Sequence, residues 1–226
     1  VRVVRALLVL FVVLGALAAS LISFDRPSPL ASGTEPARPL RLAVVGDSLS
    51  AGASRYLGNG LDDGTWITTV VGEDVEFVGG WARSGATPER MAEHVRPVAD
   101  VDVLVILAGT NAVRLHRSLA DEAASYRSIV ETVRPRSVLV AAIPPYRWQP
   151  AAAVEYNRDL RELTREEGWA WGDPWGFARD GSGWVPGVSA DGTHPAGPAQ
   201  YRRLGLAMRE LIEGVDERDD VVLAAE

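Results

Sequence analysis

The stretch over residues 101–108 narrows the possible folds most. It is the most apolar run beyond the amino-terminal segment, and apart from Asp102 it shows no alternation of polar and apolar residues. A strand with one face in water alternates; one that does not is buried on both faces, as in a parallel sheet covered by helices. Four more short apolar runs, residues 42–45, 75–78, 137–143 and 169–171, read as its companions. Helical stripes lie between and after them. Trp66, Ile67, Val70 and Val71 share one face. Thr87 and Pro88 open a helix that Pro97 closes. Ser118 and Asp121 form a capping box ahead of Leu119, Ala123, Tyr126, Val130 and Val133. Ala153, Tyr156, Leu160 and Leu163 form the next stripe, and Tyr201, Leu204, Met208 and Leu211 the last. Strands that alternate with helices in this way predict an α/β, flavodoxin-like three-layer sandwich. Its expected core is a five-stranded parallel sheet of order 2-1-3-4-5 with helices on both faces.

The ends of the chain differ in character from this region. Arg2 and Arg5 precede an uncharged stretch that runs to Phe24. Residues 1–24 are therefore expected to be a signal peptide or an amino-terminal membrane anchor. The stretch is longer than the usual signal core of about 7–15 residues and just short of the roughly 20 that span a bilayer. Ala16-Leu17-Ala18 offers a small-residue cleavage site, and on either reading the rest of the chain is exported. Residues 25–39 carry four prolines and no apolar period, and are expected to be a tether. The domain is expected over residues 40–213, and residues 214–226 as an acidic tail that frays. The chain has no cysteine, so disulfides and thiolate metal sites are excluded. Its net charge is −7, and the absence of a dense basic patch argues against nucleic acid as a partner.

The chemistry gathers at loops. Gly46-Asp47-Ser48 follows the first strand, so Ser48 sits at a strand's carboxyl end beside the start of a short helix, where open α/β sheets hold ligands. Gly-Asp-Ser also fits an ordinary turn, and Asp191 with His194 also fits a surface Asx turn. Together they make a working set. A serine hydroxyl needs a base to take its proton as it attacks, and the imidazole of His194 suits that task near neutral pH. Asp191, on the same loop, can orient the ring and offset the charge it gains. Gly85 follows the second strand and Asn111 the third, so both would meet Ser48 at one crevice.

Gly46-Asp47-Ser48-Leu49-Ser50 with Asp191-Gly192-Thr193-His194 resembles the first and last sequence blocks of the GDSL, or SGNH, hydrolases. The residues around Gly85 and Asn111 match the middle two. The resemblance implies a serine esterase with Ser48, Asp191 and His194 as the catalytic set. It also implies an oxyanion hole made of the Ser48 N–H, the Gly85 N–H and the Asn111 side chain. One departure is Ala112, where the family commonly has Asp. No metal and no cofactor are expected, and the partner implied is a small-molecule or glycan ester. The lack of a large lid insertion favours small acyl groups, with water or a sugar hydroxyl as acceptor.

Other readings fit less well. An α/β-hydrolase elbow would have Gly where Ser50 stands, and a dinucleotide fold would need Gly-x-Gly-x-x-Gly in the first turn. The reading from a different class is a non-catalytic, surface-tethered glycan-binding module using Trp148, Trp169, Trp171, Trp175 and Trp184. His94 and His116 lack any comparable context and are read as a helix-surface and a loop histidine.

Overall fold

In the computed structural model of the chain, β1 (Leu40–Gly46) has a parallel neighbour on each side. The structure describes residues 38–52, 56–58, 61 and 64–223, with side chains to residue 215. The expected leader of residues 1–24 and residues 25–37 of the expected tether lie outside the described residues. On one side of β1 lies β3 (Val75–Arg83); on the other lie β4 (Val103–Leu107), β5 (Ser137–Ala141) and β6 (Ala170–Gly172), all parallel. The five strands stand in the expected order. A sixth, β2 (Tyr56–Leu57), pairs antiparallel with the end of β3 and so extends the sheet. It falls in a stretch that the sequence presents as loop, because two residues are too few to display a period.

The alternation missing from the strand sequences is present, but between two apolar faces. Ala43, Val45, Leu104 and Ile106 pack toward α3 (Pro88–His94), α5 (Leu119–Val133) and α6 (Pro150–Glu167), meeting Met91, Tyr126, Ile129 and Leu160. Leu42, Val44, Val103, Val105 and Leu107 face the other way. They meet Ile67 and Val70 of α2 (Ile67–Val70) and Leu204, Met208 and Ile212 of α7 (Gly197–Leu223). Two short helices, α1 (Ser48–Ala51) and α4 (Thr110–Arg114), sit directly after β1 and β4. The predicted caps are present: Thr87 accepts from the Arg90 N–H at 3.3 Å, and Ser118 and Asp121 close a reciprocal capping box.

Asp102, the one charge in the most apolar run, is tied down at the opposite end of the sheet from Ser48. Arg38 grips both its oxygens at 2.5 and 2.7 Å, and the Arg41 N–H donates to it at 2.8 Å. The Arg38 hydrogen bond is the main reason its carboxyl stays below the usual range, against the opposing effect of burial.

Three features depart from the sequence expectations. β3 does not stop at Val78 but continues to Arg83, through a bulge that shifts its register between Leu42↔Phe77 and Ala43↔Gly79. Gly80 sits there at φ +133°, and a Cβ on it would collide with the Val44 carbonyl oxygen. Only glycine lets the two backbones approach this closely, so a pair that reads as loop from sequence is strand interior. The segment after β6 contains a small hairpin, β7 (Arg179–Asp180) with β8 (Gly183–Trp184). The backbone of α7 continues helical to Leu223, past the expected end of the domain at residue 213. Val215, within that extension, is buried against the core. No helix among the described residues is long and apolar enough to cross a membrane.

The bulge makes a paired prediction. Gly80→Ala should lower unfolding free energy by about 3 kcal/mol or more, whereas Gly176→Ala should stay within about 0.5 kcal/mol. Gly176 has open space around its Cβ position and no positive φ. Urea unfolding of the two variants checks this; equal midpoints would contradict the close approach.

Candidate active site

The carboxyl ends of β1, β3 and β4 lie side by side, because Gly46 is in register with Ala82 on one flank and Leu107 on the other. Ser48, Gly85 and Asn111 follow these three ends within a few residues, so sheet register alone brings them to one edge. Gly46 ends β1 for a steric reason. A Cβ there would lie 2.6 Å from the Ser50 Oγ and 2.9 Å from the Leu107 carbonyl oxygen. Ser50 itself is buried, where its hydroxyl accepts from the Trp66 indole at 3.2 Å and its carbonyl from the Thr65 hydroxyl at 2.8 Å. The turn carrying Ser48 is thereby fixed from below.

From the far end of the chain, the loop before α7 reaches back to this edge. Ser48 Oγ lies 2.7 Å from His194 Nε2, and His194 Nδ1 lies 2.7 Å from Asp191 Oδ2. The second Asp191 oxygen accepts the backbone N–H groups of Thr193 and His194, each at 2.8 Å. This carboxylate, acceptor on both oxygens, requires the proton on Nδ1, which leaves the Nε2 lone pair facing the serine hydroxyl. Partial burial pushes the Asp191 carboxyl up, but the bonds from the His194 ring and the two N–H groups outweigh it and bring it to about 2. The Gly192 carbonyl takes the Trp184 indole at 3.1 Å and the Arg147 N–H at 3.0 Å, which anchors the loop to the 173–190 segment and to the turn before α6.

Asn111 is held at both ends of its amide. Arg114 Nε donates to its Oδ1 at 3.2 Å, and its Nδ2 donates to Asp47 Oδ2 at 3.3 Å. The amide orientation follows from those two partners and leaves one Nδ2 hydrogen uncommitted. Gly109, at φ +124°, makes the turn before it possible, since a Cβ there would press on the Tyr156 ring. Beneath that turn, the buried Tyr126 hydroxyl donates to the Ala108 carbonyl at 2.9 Å and lies 3.3 Å from the Tyr156 hydroxyl. Gly85 is in the turn after β3 at φ +78°, exposed, with its Cβ position open. Neither the Ser48 N–H nor the Gly85 N–H donates a hydrogen bond to a described residue. Ala112, the departure from the family pattern, is fully buried in the core.

Sequence reasoning left Asp47 without a role. Its carboxyl is inaccessible to water, caps α1 by accepting the Leu49 N–H at 3.0 Å, and takes the Asn111 amide on its other oxygen. Burial raises it to about 6, with Leu49, His194 and Asn111 each opposing the rise. It is thus mostly ionised at neutral pH. An acidic residue beside a candidate nucleophile is the only sequence signal that pointed to it. Arg114 and the tyrosine pair gave none.

The remaining candidates disperse. Trp175 is fully buried with its indole on the Ala142 carbonyl, and Trp184 packs edge-on against it at 5.9 Å. Trp169 and Trp171 pack in part against the core, and only Trp148 stands out in solvent. The five do not make one aromatic platform. His94 stacks on Trp81 at 5.3 Å and bonds the Arg90 carbonyl through Nδ1, while His116 occupies an exposed left-handed turn. Among the described residues no group of three or more His, Asp or Glu side chains is placed to hold a metal.

Comparison with known proteins bears on the family and the fold. The model of the GDSL-like lipase/acylhydrolase family matches residues 44–202. No curated protein sequence matches the chain. Among solved structures, the inhibitor-bound aryl esterase of M. smegmatis is similar at 20% identity and a TM-score of 0.55, covering 78% of this chain and 99% of its own. An acetyl xylan esterase from Geobacillus stearothermophilus is similar at 20% identity and 0.58, covering 77% and 95%. A carbohydrate esterase of family 3 from Talaromyces cellulolyticus is similar at 16% and 0.55, covering 79% and 99%. At these identities the likeness establishes the fold.

Asp47 offers a pH test. Its folded pKa of about 6 lies above the ordinary 3.8, so between those values the folded state holds a proton that the unfolded chain has lost. The stability it contributes is therefore present below about pH 4 and lost as pH rises through 6. Relative to Asp47→Asn, which cannot titrate, the wild type should lose on the order of 2–3 kcal/mol between pH 4 and 7. Chemical denaturation across that range measures it, and a pH-independent difference would contradict the burial argument.

Proposed function

We propose, from the premise that the chain belongs to the GDSL-like lipase/acylhydrolase family and is a serine ester hydrolase, that Ser48 is its nucleophile, His194 its base and Asp191 the residue that orients the base. The observation that carries this is the hydrogen-bonded chain Ser48 Oγ–His194–Asp191 at the carboxyl edge of the sheet. As Oγ attacks the ester carbonyl, its proton passes to Nε2, and the imidazolium is offset by the ionised Asp191. The oxyanion would be met by the Ser48 and Gly85 N–H groups and the uncommitted Asn111 Nδ2 hydrogen. Collapse of the adduct releases the alcohol, which takes the Nε2 proton and leaves an acyl-Ser48. Water, or a sugar hydroxyl in an acyl transfer, then gives its proton to Nε2 as it attacks; collapse of this second adduct breaks the acyl–Oγ bond, Oγ takes the proton back from Nε2, and the acid or the new ester leaves.

The substrate we infer is a small-acyl or carbohydrate ester. The fold is shared with an acetyl xylan esterase and a family 3 carbohydrate esterase, and the lack of a large lid insertion in the sequence favours small acyl groups. Export is part of the same proposal, supported by the arginine-led uncharged stretch of residues 1–24. A glycan ester outside the cytoplasm is consistent with both.

Two measurements test the machinery. A fluorophosphonate should label the folded protein once, at Ser48, and His194→Ala should abolish labelling while circular dichroism stays unchanged. Labelling that persists in His194→Ala would remove the histidine from its role. Asn111→Ala should lower kcat for an acetyl ester by about 10²–10³ with little change in KM, as expected of a donor that engages mainly the transition state. A raised KM with kcat intact would instead make Asn111 a substrate-binding residue.

A further inference from the structure

Two arginines that make no ion pair with a described residue are attached to the loops that carry Asn111 and His194. Arg147 belongs to the turn before α6, and its backbone N–H on the Gly192 carbonyl pins it to the histidine loop. Its aliphatic stem lies flat against Gly192, where an added Cβ would come within 2.7 Å of the Arg147 Cδ. Only glycine at 192 lets the stem pass there. The guanidinium then continues outward over the Trp148 ring, with Cζ 5.3 Å from the ring centroid. It makes no hydrogen bond or ion pair with any described residue. Arg114 ends α4, the helix that carries Asn111. Its Nε is bound to the Asn111 amide, and its terminal nitrogens have no partner among the described residues. The Gln149 side chain reaches the Arg114 carbonyl at 3.5 Å, which joins α4 to the turn that carries Arg147 and Trp148.

About half of the described arginines, among them Arg41, Arg117, Arg127, Arg158, Arg165, Arg179 and Arg209, lie in ion pairs. Arg114 and Arg147 are among those that do not, and they are the ones bonded to Asn111 and to Gly192. Guanidinium charge without a carboxylate partner is thus left beside the candidate site. Trp148, at 63% exposure, is the most exposed of the large apolar side chains among the described residues. A guanidinium fork matches a carboxylate or phosphate, and an indole face next to it suits a sugar ring. Building on the esterase reading above, we infer that Arg147, Arg114 and Trp148 select an O-acyl ester carried by an anionic sugar, the ring lying on Trp148 and its carboxylate or phosphate between the guanidinium groups.

The test compares three substrates acetylated at the same hydroxyl: methyl glucoside, methyl glucuronide and methyl glucoside 6-phosphate. At low ionic strength, kcat/KM for at least one anionic ester should exceed that for the neutral ester by about tenfold or more, and the ratio should shrink in 0.5 M NaCl. Which anionic ester leads identifies the group as carboxylate or phosphate. Arg147→Gln should bring the ratio to within about twofold of one, and Arg147→Glu should favour the neutral ester. Fluorophosphonate labelling at Ser48 in each variant serves as the check that the site is intact. A wild type that is labelled but shows no anionic preference overturns the inference alone. The same holds for a preference that survives in both Arg147→Gln and Arg114→Gln. A wild type that Ser48 chemistry fails to label overturns the esterase reading, and this inference with it.

Discussion

The mouth of the sheet depends on the carboxylate of Asp47, which has no contact with water. One oxygen caps the helix that begins at Ser48, and the other holds the Asn111 amide. Two loops that follow different strands are thereby joined through a single side chain, and the nucleophile candidate is its covalent neighbour. Keeping that charge buried is unfavourable, as its raised pKa of about 6 records. The two donors offset only part of the cost. A neutral side chain at 47 would relieve the penalty but present Asn111 with a different partner. The site thus sits at a local energetic disadvantage that the packed layers on either side must cover.

Those layers were the most legible part of the sequence. The run at residues 101–108 reads as doubly buried because Val103, Val105 and Leu107 meet one helical layer and Leu104 and Ile106 the other. The stripes of α5 and α6 and the caps at Thr87 and Ser118 are equally local signals, each written within a few residues. Strand order follows from the same pattern, since parallel strands joined by helices leave few arrangements. The short pair β2 and the β7–β8 hairpin were not legible, because two-residue strands have no period and exist only through the neighbour they meet.

The bulge at Gly79-Gly80 shows a different limit. Two adjacent glycines look like loop when only propensity is considered, yet they are required inside β3 because the Val44 carbonyl occupies the space of a side chain. That requirement comes from β1, which is distant in sequence. The end of α7 is similar: composition marks residues 214–226 as a tail, yet the backbone is helical to Leu223 and Val215 lies in the core. In the site, Ser48, Asp191 and His194 were recognisable as residue types suited to one reaction, and the structure places them in hydrogen-bond contact. The supports of Asn111 were invisible, because a tyrosine pair under a turn and an arginine on an amide carry no spacing rule.

The distribution of charge links these levels. About half of the described arginines lie in ion pairs, and several of these fasten one element to another, as Arg38 does with Asp102 at the amino end of the sheet. At the carboxyl end the roles change. Asp191 is committed to His194 and two N–H groups, and Asp47 to Leu49 and Asn111, so neither is available to neutralise a guanidinium across the mouth. The acidic residues nearest Ser48 are consumed by positioning, and Arg114 and Arg147 remain uncompensated by carboxylates. An acidic protein can in this way leave two guanidinium groups beside its site without a carboxylate on them and without a basic patch in its sequence. That charge is a consequence of which carboxylates the site must spend on holding its own geometry.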